Sequence, residues 1–188
     1  MRFPAVNRKG LSQPVTAMIL LVIPVVLTGG VVMYAYQIIE NQVALEILSV
    51  TNQHIWVYES GESFAAVQID NLGGKDVLID KIQVRGVDVD WSRVYYYRTT
   101  LITVDALNCP DAHENNWDRF EYTPGNASRF IRATGDLTLP SGCTLIIYIE
   151  NPDNIRLGDV GSSVSISVIT KNARYDVFCV VDSATTAP

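Results

Sequence analysis

The chain is poor in charge. Only 18% of its 188 residues are Asp, Glu, Lys or Arg, yet 48% are hydrophobic, which excludes a disordered polypeptide. Basic residues number 14 against 20 acids, and no Lys/Arg cluster occurs beyond the first ten residues. That argues against a nucleic-acid partner. Three cysteines and no Cys-x-x-Cys pair exclude a zinc ribbon. No serine sits in a Gly-x-Ser-x-Gly elbow, and the glycine-rich pieces lack phosphate-loop spacing. No catalytic constellation is present, so neither an enzyme nor a cofactor is expected.

The most uneven absence is local. From Gly10 to Ile39 there is no charged side chain. Ahead of this stretch stand Arg2, Arg8 and Lys9 with no acid. Behind it lie 11 basic groups and all 20 acids, a net −9. A basic tip, an apolar stretch and an acidic body are the order of a membrane-inserted chain with its body outside. Residues 15–39 are mostly Val, Ile, Leu and Met. The 20 helical steps from Pro14 to Tyr34 cover roughly 30 Å, the hydrocarbon thickness of a bilayer. Tyr34 and Tyr36 fall where an aromatic belt sits, and the basic tip puts the N-terminus inside. The apolar run is about twice the 7–15 residues of a secretory signal core, and Tyr-Ala-Tyr-Gln-Ile-Ile-Glu is a poor cleavage site, so a retained helix is expected.

Arg8-Lys9-Gly10-Leu11-Ser12-Gln13-Pro14, set directly before that run, resembles the processing site of type IV prepilins. The resemblance implies that a membrane prepilin peptidase cuts between Gly10 and Leu11 and leaves a 178-residue subunit. Arg8 and Lys9 would hold the bond at the cytoplasmic surface. Gly10 supplies a narrow backbone, and Pro14 begins the helix beyond the cut. Where bacterial pilins carry a Glu, five residues into the mature chain, this sequence has Val15. The resemblance is therefore to the archaeal branch of pilins and archaellins.

After Glu40 the period changes. Residues 42–52 either finish the helix or begin the first strand. Strands are predicted at 63–70, 77–84, 87–91, 94–104, 128–133, 137–139 and 144–150. Asn71-Leu72-Gly73-Gly74 between the first two reads as a hairpin turn. The alternation Ser163-Val164-Ser165-Ile166-Ser167-Val168, the turn at Asn172-Ala173 and the alternation Tyr175, Val177, Cys179, Val181 give a final hairpin with one wet face. With no helical pattern between them, these strands make a β-sandwich of roughly seven to nine strands. Residues 71–86, and the series Pro140-Ser141-Gly142, Gly158-Asp159, Val164-Ser165-Ile166, are similar to archaellin and archaeal pilin sandwiches. The fold expected is α+β: a leader at 1–10, a hydrophobic helix at 11–48 and an all-β, immunoglobulin-like sandwich at 49–188.

Residues 105–127 stand apart, being polar and rich in Asn, Asp and Pro, with Trp117, Phe120 and Tyr122. So long an irregular stretch is expected to be an exposed functional loop or a stapled one. Cys109 lies in it and Cys143 precedes a strand; three pairings are open. We favour Cys109–Cys143, worth about 3–4 kcal/mol by loop entropy, with Cys179 a buried thiol; three reduced thiols are the alternative. Asn126-Ala127-Ser128 is a sequon, so Asn126 is a glycan candidate. Asp111, His113 and Glu114 are too few and too loosely spaced to specify a metal. Asp88 and Asp90 share a strand face as solvated carboxylates, and His54 has no evident partner.

The resemblance implies a structural subunit of an archaeal type IV pilus-like filament, polymerising through its helix, for adhesion. Its partners would be membrane lipid before assembly, the prepilin peptidase, a membrane platform with its ATPase, and copies of itself. An archaellum subunit shares this layout. The reading from another class is a membrane-anchored extracellular binding domain that keeps residues 1–10 and never polymerises.

Overall fold

A computed structural model describes residues 12–43, 45–101, 105–112 and 116–185. The chain divides into two compact units, Met1–Val43 and Ala44–Pro188. The first is one helix, α1 (Ser12–Val43), 32 residues long with Pro24 inside it. The ambiguity after Gln42 is thereby resolved: the helix stops at Val43 and the first strand starts at Leu48.

The second unit is a two-layered β-sandwich. Its strands are β1 (Leu48–Tyr58), β2 (Ser63–Asn71), β3 (Val77–Val84), β4 (Val87–Asp88), β5 (Val94–Thr99), β6 (Phe120–Thr123), β7 (Asn126–Ser128), β8 (Ile131–Arg132), β9 (Leu137–Leu139), β10 (Thr144–Glu150), β11 (Ser163–Thr170) and β12 (Arg174–Ala184). One layer runs β1-β2-β10-β5-β8 and the other β4-β3-β11-β12, with β9 on β3. The last strand joins them. Antiparallel to β11 along residues 174–180, β12 then runs parallel to β1, pairing Ile55 with Val181 and Tyr58 with Ala184. The sandwich and the final hairpin match the sequence expectation. The strand count exceeds it because several strands are two or three residues long.

The turn at Asn71-Leu72-Gly73-Gly74 corrects the sequence reading. β2 pairs with β1 and β10, and β3 pairs with β11, β4 and β9, so this segment crosses between layers and makes no hairpin. The glycine has another use. Leu72 N and Gly73 N both donate to Ile47 O, at 2.9 and 3.1 Å. A Cβ on Gly73 would stand 2.5 Å from Leu45 O and 2.8 Å from Ile47 N. On the other side, Glu46 accepts from Thr170 Oγ1 (2.6 Å) and Asn172 Nδ2 (2.9 Å). Residues 45–47, which lead into β1, are thus clamped between the layer crossover and the β11–β12 turn.

Bulges keep the apolar sets facing inward. In β1, Leu48 and Val50 face the core between the layers, and so do Ile55 and Val57. Even and odd positions can share a face because the register shifts between Thr51 and His54, where Asn52 takes φ +50°. Asn tolerates this left-handed conformation better than most residues. A similar shift in β3, between its pairings with Ile169 and Thr170, lets Ile79 and Ile82 both point in.

Gly73→Ala should lower the stability of the sandwich by about 2–3 kcal/mol, because its new Cβ meets backbone that cannot step aside. Gly135→Ala, with nothing within 4 Å, should be near neutral. Thermal denaturation of the two variants beside the parent checks this; equal melting temperatures would refute the clamp.

Candidate functional site

Two surfaces carry the sequence-predicted features. The first is α1. Gln13–Glu40 is 28 residues long with a mean hydropathy of 2.5, and none of its most apolar window is buried in the structure. It is apolar all round, from Met18 and Leu20 to Val25, Val31 and Met33, and it is long enough to cross a bilayer. Its few polar groups are muted. Thr28 Oγ1 donates to Pro24 O at 2.7 Å, so that hydroxyl hydrogen is satisfied within the helix, as an apolar medium requires. Gly29 and Gly30 have open space where a Cβ would be. Tyr34 and Tyr36 are exposed. Arg8, Lys9, Gly10 and Leu11, the predicted cleavage residues, lie outside the described residues.

The second surface is the outer face of the β1-β2-β10-β5 layer. Trp56, Tyr58, Phe64, Ala66, Ile146 and Tyr148 point away from the sandwich core and are nonetheless buried. Their cover comes from residues 105–112 and 116–130. Leu107, Ala112, Tyr122 and Phe130 are buried there, with Trp117 and Phe120 packed beside them. Trp117 stacks on Tyr95 at 4.5 Å between ring centroids, and its Nε1 donates to Glu150 Oε1 at 2.8 Å. Tyr148 OH donates to Asn108 O (3.0 Å) and Tyr58 OH to Pro110 O (2.6 Å). Asn108 N to Tyr122 O (2.8 Å) and Phe130 N to Trp117 O (2.7 Å) tie the segment to itself. The predicted exposed loop is therefore half a core. Its apolar residues had to be read together with the outward residues of β1 and β10 to show this.

The segment is held by rings and hydroxyls, not by sulfur, and the pairing Cys109–Cys143 is corrected. All three cysteines are free. Cys109 packs with the outer aromatic cluster and Cys143 against the inner core, so the sheet itself stands between them. Desolvation raises the Cys109 thiol to about 11, with nearby Asp111 adding to the rise and the Tyr58 hydroxyl opposing it. Burial likewise raises Cys179 to about 11. Burial also pushes the Tyr58 and Tyr148 phenols well above their ordinary value.

The remaining candidates separate. Asp88 accepts from Gln83 Nε2 (2.6 Å) and pairs with Lys81 (3.5 Å). Asp90 lies beyond β4 and caps the turn Trp91–Arg93 through Ser92 N (2.7 Å), so the two do not share a strand face. His54 stacks on Trp56 at 5.2 Å, two residues on and on the same strand face. Asp111 is exposed, while His113 and Glu114 lie outside the described residues. Among the described residues no three His, Cys, Asp or Glu side chains converge. Asn126 is exposed beside the Pro124-Gly125 turn of the β6–β7 hairpin, where Gly125 takes φ +80°. Its Nδ2 donates to Thr123 Oγ1 at 3.0 Å.

Cys109 has a higher pKa folded than unfolded. The stability this contributes is complete below about pH 9 and lost as pH rises through about 11. Denaturant titrations from pH 7 to 11 should show stability falling above pH 9, and Cys109→Ala should flatten that fall. Unreduced, unfolded protein should take up three alkyl groups per chain by mass; one group would restore a disulfide. Compared with known proteins, the chain matches no family model and no curated protein.

Proposed function

We propose that the chain is a structural subunit of an archaeal type IV pilus-like surface filament serving adhesion. The observation that carries this is the pairing of a helix apolar on every side, with no buried face of its own, with a sandwich unit that fills its own core. Such a helix needs an apolar surrounding. Lipid supplies it before assembly, and copies of the same helix supply it afterwards. Exchanging lipid for helix yields little hydrophobic gain, so close packing at small residues such as Gly29, Gly30 and Ala35 would have to set the preference. Assembly then needs work from a cytoplasmic ATPase acting on a membrane platform. Removal of residues 1–10 by a prepilin peptidase would strip Arg8 and Lys9 from the end of the helix. That leaves the new α-amino group of Leu11 as the one charge at the helix end, so less charge has to be drawn through the bilayer. The acidic sandwich would face the exterior, with Asn126 open to a glycan. The role is structural, without catalysis, cofactor or nucleic acid.

The N-terminal residue of native material sheared from the cell surface decides the matter. Leu11, found by mass spectrometry in high-molecular-weight material, supports a processed filament subunit. Met1, found only in the membrane fraction, overturns it in favour of an anchored binding domain. Gly10→Val should abolish both cleavage and filament formation; survival of either would remove the assigned bond.

A further inference from the structure

Beyond the aromatic cluster, the same outer face ends in a polar row. Ser49, Asp70, Thr144 and Thr99 are successive cross-strand partners on β1, β2, β10 and β5, so their side chains share a face. Asp70 is only 5% exposed. Its Oδ1 accepts from Thr144 Oγ1 at 2.7 Å, and both its oxygens accept from Gln68 Nε2 at 3.1 Å. Gln68 is fully buried and its Oε1 accepts from Asn52 Nδ2 at 3.0 Å. Each of these donors is neutral. Among the described residues no Lys, Arg or His forms an ion pair with Asp70. A carboxylate taken from water without an opposite charge is costly. Beside it opens a pocket of about 310 Å³ lined by Asp70, Asn71, Gly73, Thr100, Ser141 and Thr144.

We infer that this pocket binds a primary ammonium group, with the Asp70 carboxylate as its counter-charge. The pocket's chemistry selects among cations. Calcium takes 6–8 oxygens and usually more than one carboxylate, whereas the lining supplies one. The volume also exceeds that of a bare ion. A guanidinium seeks both carboxylate oxygens in a planar fork, but Gln68 Nε2 already bridges them. A carboxylate offers about four acceptor positions. Three are taken, and the one left, on Oδ2, suits a single N–H of a compact ammonium. The remaining ammonium hydrogens have hydroxyl oxygens of the threonines and Ser141 within the same lining. The shared chemistry has two sources, a lysine side chain of another protein chain and a free alkylamine. The inference stands apart from the filament reading, since it rests on the sandwich alone.

The test uses the full chain in nonionic detergent, titrated by calorimetry with n-butylammonium, Nα-acetyl-lysine methylamide, tetramethylammonium and calcium. Either or both of the primary amines should bind. Preference for the lysine amide assigns a protein lysine, and equal binding assigns a free amine. Asp70→Asn keeps the side-chain shape and should weaken binding at least about tenfold, the loss expected for a charge-assisted hydrogen bond. Thr144→Val should weaken it less and carries the comparison if Asp70→Asn does not fold. No binding of either amine to the folded chain overturns the inference. So does binding unchanged in the variants, or equal binding of tetramethylammonium or calcium.

Discussion

Burial of both faces of one sheet is the constraint on which the sandwich depends. Every residue of β2 is buried, as are the first six of β10. A two-faced apolar sheet needs two covers. The second layer supplies one, closing over Ile55, Val67, Ile147 and their neighbours. The other must come from outside the two layers, and residues 105–112 and 116–130 provide it with Tyr122, Phe130 and the ring stack of Tyr95 on Trp117. Rings suit this task because a few of them cover much apolar area, and edge-on contacts such as Phe130 with Tyr148 at 5.3 Å add to plain burial. The hydroxyls of Tyr58 and Tyr148 reach backbone carbonyls of the cover, so the polar ends of buried rings are satisfied by the segment they hold.

What was legible in the sequence divides along physical lines. The Ser163–Val168 alternation identified β11 because one of its faces carries only serines there, and period two is then visible in the residue types, although Ser167 is itself buried and accepts from Arg174. The run Leu145-Ile146-Ile147-Tyr148-Ile149 could not show which residues faced which core, since both faces are apolar. That hid the destination of the 105–127 aromatics and, with it, the position of Cys109. Parity along the strand places Cys143 with Leu145 on the inner face, whereas the distance along the chain between two cysteines carries no such information. The Gly73-Gly74 pair was misread because a glycine needed for close backbone approach is written with the same letter as one needed for a turn. For the ammonium pocket, the signal was present as two polar residues, Gln68 and Asp70, at alternate positions of the buried strand β2. Only the structure shows Thr144 arriving beside Asp70 from β10, and Thr100, just after β5, joining the same lining.

Two local devices give the sandwich its single register. The bulge at Asn52 reverses the parity of β1 midway, so that one strand can contribute Leu48 and Ile55 to the same core. The contacts of Ile47 with the layer crossover and of Glu46 with the β11–β12 turn then fix where β1 begins. A one-residue slip would break the clamp and the parity together, which makes the alternative registers costly.

The placement of β1 also decides how the domain meets load. Residues 45–47 lead straight into a strand flanked on one side by antiparallel β2 and on the other by parallel β12. The hydrogen bonds to both neighbours run across the strand. Tension applied along β1 therefore falls on them side by side, in shear, and they must rupture together rather than one after another from an end. A terminal hairpin in the same position would peel open. By seating its first strand inside the sheet and closing it with its last, the domain is built so that a pull along its own chain tightens against many bonds at once.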